Sequence, residues 1–159
     1  MEKIGAVAVV GSGVAGIYAA HELAESGFKV YLIDEKPTIG GRMLLLDKTF
    51  PTNDCAMCIL SPKMVEVARH PNIEILTSSE IKKFSGKAGN FKLTLQQMPR
   101  YVNERCSACG NCTNACPVEV SNEVEQGLTW RKAIYIPLPQ AIPTRYLIDR
   151  KSCLGVEPN

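Results

Sequence analysis

At 159 residues the chain is long enough for a real core, burying roughly 70% of its unfolded surface, and 45% hydrophobic with 21% charged residues excludes an intrinsically disordered protein. A formal net charge of +2 gives no electrostatic footprint for a polyanion, so no nucleic-acid partner is expected. No run approaches the ~18 apolar residues of a membrane span, and seven cysteines without a secretory pattern argue against a disulfide scaffold and for a cytoplasmic chain.

Residues 4–10 (IGAVAVV) form a continuous apolar run that leads into Gly11-Ser12-Gly13-Val14-Ala15-Gly16, after which apolar positions recur at helical spacing through Leu23. The pattern is strand, glycine turn, helix. Gly11 permits the tight turn, Gly13 keeps side chains out of the way of a pyrophosphate, and Gly16 lets the helix pack close to the strand. The helix N-terminus adds free N–H groups and about +0.5 charge for phosphates, so the whole loop 11–16 is the candidate dinucleotide site. Ala20, Leu23 and Gly27 fall where the helix packs and stops, and residues 28–33 read as a second buried strand ending at Asp34 and Glu35. An acid about 20 positions after the loop is the expected ribose ligand; Asp34 is the first choice and Glu35 the second. His21 in this helix reads as a packed or solvated residue rather than a ligand.

Pro37-Thr38-Ile39-Gly40-Gly41-Arg42 follows. NAD-type domains have no need of a double glycine here, whereas flavoproteins related to glutathione reductase place one where the chain passes the dinucleotide, which turns the expectation from NAD to FAD. Arg42 either offsets phosphate charge or is an ordinary surface arginine. Further on, Ser61-Pro62 reads as a helix start, Ser as N-cap and Pro at the first helical position, with the helix ending before Pro71. Cys55 and Cys58 then lie just upstream of a helix N-terminus, where a thiol pKa is lowered. Three roles are open to them: a redox-active dithiol facing the flavin, two ligands of another cluster, or packing alone.

Residues 72–77 (NIEILT) are expected as the third parallel strand, reached by that crossover helix. Residues 80–84 and 90–96 alternate around Ser85-Gly86-Lys87-Ala88-Gly89 and read as a β-hairpin or meander. His70, before Pro71, reads as structural. Composition changes near Pro99, giving an expected division into 1–98, a partial Rossmann-like domain, and 99–159, an iron–sulfur segment incomplete at its end. In the second part stands Cys106-Ser107-Ala108-Cys109-Gly110-Asn111-Cys112-Thr113-Asn114-Ala115-Cys116-Pro117. CxxCxxCxxxCP is the spacing with which bacterial-type ferredoxins hold a [4Fe–4S] cluster, whereas zinc sites pair two CxxC knuckles over a longer spacer or mix in histidine. The CxxxCP end is expected to start a helix. Residues 118–126 read as a polar loop, 131–136 as a short strand, and Trp130 as a packing residue. Arg131, Lys132, Arg145, Arg150 and Lys151 make this end basic, a docking face or a solvated surface. Residues 146–153 echo 101–106, which makes Cys153 the first ligand of a second motif. Cys106, Cys109 and Cys112 are thus ligands of one cluster, while Cys116 either closes it or joins Cys153 on another.

GSGVAGIYAAHELAESGFKVYLIDEKPTIGGRM, LDKTFPTNDCAMCILSPKMVEVARHPNIE, the hairpin, and PRYVNERCSACGNCTNACPVEV with RKAIYIPLPQA behind it together resemble the amino-terminal flavin region of the A-type subunit of heterodisulfide reductase, the FAD and iron–sulfur component of that system in methanogens and related anaerobes. The resemblance covers essentially the whole chain, with Asp34 where such proteins usually carry glutamate. It implies an α/β fold, a thioredoxin- or glutathione-reductase-like FAD domain with a parallel sheet and β-meander, followed by a ferredoxin-type insert. It implies electron transfer between FAD and [4Fe–4S] clusters, with flavin-based bifurcation in the family manner. Partners so implied are the other heterodisulfide-reductase-like subunits, the remainder of the flavin subunit, and hydrogenase, formate dehydrogenase or ferredoxin as electron partner. Family members are far longer, so the chain is expected to be one piece of a split subunit or a truncated product. Two rivals stand beside this: a component of a pyridine-nucleotide-dependent disulfide reductase using Cys55 and Cys58 as its catalytic pair, and a non-catalytic assembly subunit.

Overall fold

The valine- and isoleucine-rich runs become the strands of one parallel sheet in the computed structural model, which describes residues 5–155. Strand β1 (Ala6–Val10) leads through the glycine turn into helix α1 (Val14–Glu25), and β2 (Lys29–Ile33) follows it. The first residue of the apolar run, Ile4, lies outside the described residues. A 3-10 turn (Gly41–Leu45) and a short antiparallel pair, β3 (Lys48–Thr49) and β4 (Asp54–Cys55), lead into helix α2 (Ala56–Arg69) and strand β5 (Ile73–Leu76). The sheet order is β1-β2-β5, with Ala6 opposite Lys29 and Val30 opposite Ile73. β2 is therefore central, and its Val30, Leu32 and Ile33 are buried with Ile17, Ala20 and Ala24 of α1 and Leu60, Met64 and Val67 of α2.

Helix α2 does not begin at Ser61. It begins at Ala56, with Cys55 as N-cap and Pro62 inside it. The Sγ of Cys55 accepts the Cys58 N–H at 3.1 Å, so the first turn is capped well before the point that Ser-Pro chemistry indicates. Ala56, Leu60, Met64 and Val67 then place one buried face along the helix, and that burial, roughly 1.5–3 kcal/mol for each large apolar side chain, outweighs the ~3 kcal/mol of an interior proline. The C-terminal end is as expected: His70 is the C-cap, just before Pro71.

Strands β6 (Ser79–Lys87) and β7 (Asn90–Gln97) form an antiparallel hairpin. Its turn is tighter than the glycine-rich stretch indicated, because Gly86, at φ +104°, stays in the ladder opposite Phe91. A cavity of about 990 Å³ lies between this hairpin (Phe84, Phe91, Leu93) and the sheet (Val7, Tyr31, Leu76).

The chain divides into two compact units, Met1–Met98 and Pro99–Asn159. The second has little regular structure: helix α3 (Asn111–Ala115), strands β8 (Glu119–Ser121) and β9 (Trp130–Lys132) paired antiparallel, and β10 (Ile134–Tyr135) paired with β11 (Leu147–Ile148). Four expectations are corrected. Residues 118–126 are not a loop but β8 and a 3-10 turn, Glu123–Glu125, because β9 supplies a partner that local sequence cannot reveal. Residues 131–136 are two strands, broken at Ala133, which is fully buried. Trp130 is 73% exposed rather than packed. The helix of the cysteine motif precedes the fourth thiol, so that Cys116 is its C-cap. No helix among the described residues is long and apolar enough to cross a membrane.

Candidate functional site

The loop after β1 has the shape that a dinucleotide requires. Gly11 takes φ +93°, open to glycine and strained for other residues, and its N–H reaches Ile33 O at 2.8 Å. At Gly16 a Cβ would stand 1.8 Å from Gly11 O, so only glycine lets α1 come this close to the turn. Around Gly13, by contrast, a Cβ would meet nothing within 4 Å, which leaves backbone facing open space. No side chain caps α1, and its first turn holds no acidic residue. The N–H groups there, at the exposed Val14 and Ala15, suit an anion.

The Gly40-Gly41 turn comes to this loop. Gly40 N–H donates to Ser12 O at 2.7 Å, and a Cβ on Gly41, at φ +62°, would lie 2.9 Å from Gly13 Cα. Asp34, at the end of β2, accepts from both the N–H and the Oγ of Ser12, each at 2.6 Å, and from Lys36 N–H at 2.8 Å. Beside them lies a cavity of about 420 Å³ whose lining includes Gly11, Asp34, Glu35, Gly41 and the exposed Arg42. The residues singled out as 11–16, 34, 35 and 40–42 thus come together in one place. An open glycine cradle, an uncapped helix start and an acid beside them fit a dinucleotide.

Cys55 and Cys58 are joined in a disulfide and both are exposed. They are not both upstream of the helix: Cys55 is the N-cap of α2 and Cys58 lies within its first turn. His21 and His70 pack near one another in a T-shaped contact at 6.3 Å, each beside a carboxylate, Glu66 and Glu25.

In the second unit Cys106, Cys109, Cys112, Cys116 and Cys153 are free thiols. Cys106 N–H closes a turn on Asn103 O at 3.3 Å, and Cys153 N–H closes one on Asp149 O at 2.9 Å. Ala108 at φ +56° and Gly110 at φ +86° turn the backbone sharply between Cys106 and Cys112. The backbone N–H of Asn111, with the Ser107 hydroxyl, holds the Cys109 thiol below its ordinary pKa. Burial pushes Cys116 up, but backbone hydrogen bonds at Val118, Ile134 and Ala133 outweigh it and leave that thiol lowered too. Among the described residues no group of three or more His, Cys, Asp or Glu side chains is gathered about one point. The chain supplies the donor set, and its chemistry, thiols alone with no histidine, fits an iron–sulfur cluster.

Sequence reasoning missed the network beside these thiols. Arg131 pairs with Glu123 at 2.7 Å and Asp149 at 3.2 Å and stacks on the Tyr135 ring at 3.7 Å, while Tyr135 donates to Glu123 at 3.1 Å. Asp149 also accepts from Ser152 Oγ and Lys151 N–H, each at 3.1 Å, and so holds the turn that carries Cys153. A basic surface was visible in the sequence; its partners lie 8 and 18 positions away and left no local signal.

Comparison with known proteins agrees with both halves. Residues 9–56 match the NAD(P)-binding Rossmann-like domain family, and residues 99–120 match the 4Fe-4S binding domain family. The first of the A-type iron-sulfur subunits of CoB–CoM heterodisulfide reductase from Methanopyrus kandleri is 55% identical over 150 residues, which is 94% of this chain and 22% of that protein. The A-type subunit of the H(2)/formate:CoB-CoM heterodisulfide,ferredoxin reductase from Methanococcus maripaludis is 58% identical over 142 residues, 89% of this chain and 22% of that one. The chain spans only about a fifth of the length of these relatives. At such identities over nearly all of its own length, it is similar to one segment of the A-type subunits of the heterodisulfide reductases.

Proposed function

We propose that this chain carries electrons between a bound FAD and a [4Fe–4S] cluster, as part of a heterodisulfide-reductase-like oxidoreductase that is active as a complex. The observation that carries this reading is that one chain provides both a dinucleotide cradle and five free thiols, four of them in ferredoxin spacing. FAD rather than NAD is favoured by the Gly40-Gly41 turn, which bonds to the glycine loop through Ser12 O and leaves no room for a side chain at residue 41. FAD when bound exchanges electrons singly or in pairs, which suits it to stand beside a one-electron cluster. The chain's own part is to bind and orient. The backbone of the loop 11–16 on either side of the buried Ser12 and the start of α1 hold the pyrophosphate, Asp34 with Glu35 beside it receives ribose hydroxyls, and Arg42 offsets phosphate charge. Cys106, Cys109 and Cys112 ligate one cluster, while Cys116 either closes it or joins Cys153 on another.

The divisions 1–98 and 99–159 are then a partial flavin domain and a ferredoxin-type segment. Partners in this reading are the remainder of the flavin subunit, the other reductase subunits and a hydrogenase, formate dehydrogenase or ferredoxin; the names of relatives include H(2)/formate and ferredoxin. Stepwise anaerobic reduction of the reconstituted chain tests it. Flavin bleaching and a cluster EPR signal should both appear, and a chain in which neither is reducible contradicts the proposal. The disulfide between Cys55 and Cys58 favours a second reading, a disulfide reductase component with that catalytic pair. Cys55→Ser separates the two: flavin and cluster reduction persist under the first reading, whereas disulfide turnover vanishes under the second.

A further inference from the structure

Ser12 is 0% exposed in a loop whose ligand-facing role belongs to backbone. All its polar groups are committed within the protein: N–H and Oγ to Asp34 Oδ2 at 2.6 Å each, and its carbonyl to Gly40 N–H at 2.7 Å. One residue therefore joins the turn after β1, the acid that ends β2, and the Gly40-Gly41 turn. A carboxylate offers about four acceptor positions. Three are taken here, two by Ser12 and one by Lys36 N–H, and the carboxylate remains at the wall of the 420 Å³ cavity. Hydrogen bonds to a charged acceptor are about twice as strong as neutral ones, so the pair of bonds from Ser12 decides where the remaining acceptor points.

We propose that Ser12 is a positioning residue that aims the remaining acceptor of the Asp34 carboxylate at an adenosine ribose hydroxyl of the bound dinucleotide, and so sets the preference for an intact ribose without its side chain touching the ligand. The inference rests on the FAD reading of this site. Glycine or alanine at this position would keep the backbone N–H bond and lose the hydroxyl, leaving Oδ2 with one bond in place of two and the carboxylate freer to rotate. The hydroxyl is thus a specificity device added to a loop whose phosphate-binding backbone does not require it.

The test measures dissociation constants of the full chain for FAD and for an FAD analogue whose adenosine ribose lacks both hydroxyls. Wild type should favour FAD by about tenfold or more, the range of a hydrogen bond to a charged group. In Ser12→Ala that ratio should fall to within about twofold of unity, while affinity for the dideoxy analogue changes by less than about threefold. A parallel loss of both ligands would mark a merely structural role and overturn the proposal, as would an unchanged ratio. If Ser12→Ala does not fold, Ser12→Cys, near-isosteric with a weak donor, carries the same comparison. Wild type that binds neither flavin overturns the reading of the site itself, an outcome distinct from binding without a shift in ratio.

Discussion

Gly16 occupies a position where a single methyl group decides the fate of the site. With Gly11 O only 1.8 Å from the place of a Cβ, Gly16→Ala must push α1 away from the turn, an overpacking that costs about 1–3 kcal/mol. Thermal melting should show that loss, and FAD affinity should fall with it; an alanine variant that melts and binds like wild type would show that α1 need not lie this close. The glycines and Asp34 were legible because each has a fixed offset from an apolar run. Ser12's bond to Asp34 was not, since it joins residues 22 positions apart and serine in a glycine loop carries no sign of which way its hydroxyl turns.

At the scale of elements, α2 shows how a local rule loses to packing. Ser61-Pro62 is a sound N-terminus signal, but the face Ala56, Leu60, Met64 and Val67 extends through it, and the spacing i, i+4, i+8, i+11 was there to be read. Pro62 is exposed, so its replacement removes no buried contact. Pro62→Ala should stabilise the first unit by about 1–3 kcal/mol, seen as a higher denaturant midpoint; an unchanged or lower midpoint would place the helix start nearer Ser61. The antiparallel pair β8 and β9 was illegible for a different reason. Strands of three residues are too short to display an alternation.

The network around Arg131 gives that second unit a pH dependence with a definite sign. Burial raises the Glu123 pKa, but the hydrogen bonds from Arg131, its own backbone N–H and Tyr135, with the Arg131 charge, together outweigh it, and Asp149 is likewise lowered by Ser152, Arg131 and Lys151 N–H against its burial. Carboxyls depressed in the folded state contribute stability above their unfolded pKa and lose it as pH falls through the folded values. Tyr135 moves the other way, pushed up to about 12 chiefly by burial and then by Glu123. Its contribution is complete below the unfolded value of 10.0 and is lost as pH rises towards 12. The contribution of this network should therefore be flat between these limits and fall at both ends. Glu123→Gln should lower the plateau and weaken the acid arm, which chemical denaturation across pH would reveal; an acid arm of unchanged steepness contradicts the assignment.

For the whole molecule, the division at residue 98 and 99 separates a unit built by long-range sheet pairing from one built by turns, short strands and charged side chains. Among its described residues the second has few buried apolar ones, Ala133, Ala141 and Tyr146, and a bound cluster would add covalent ties where a core is small. That is why its function was easier to read than its fold: ligand spacing is a local property, whereas the strands around it depend on each other. The central claim, that one chain holds both FAD and an iron–sulfur cluster, is tested most directly by flavin, iron and sulfide analysis of the anaerobically reconstituted chain alongside Cys112→Ser. The predicted result is FAD together with iron and acid-labile sulfide in equal amounts, with Cys112→Ser losing most of the iron and sulfide and keeping the flavin. Zinc in place of iron and sulfide, or a chain that takes up no flavin, would contradict it.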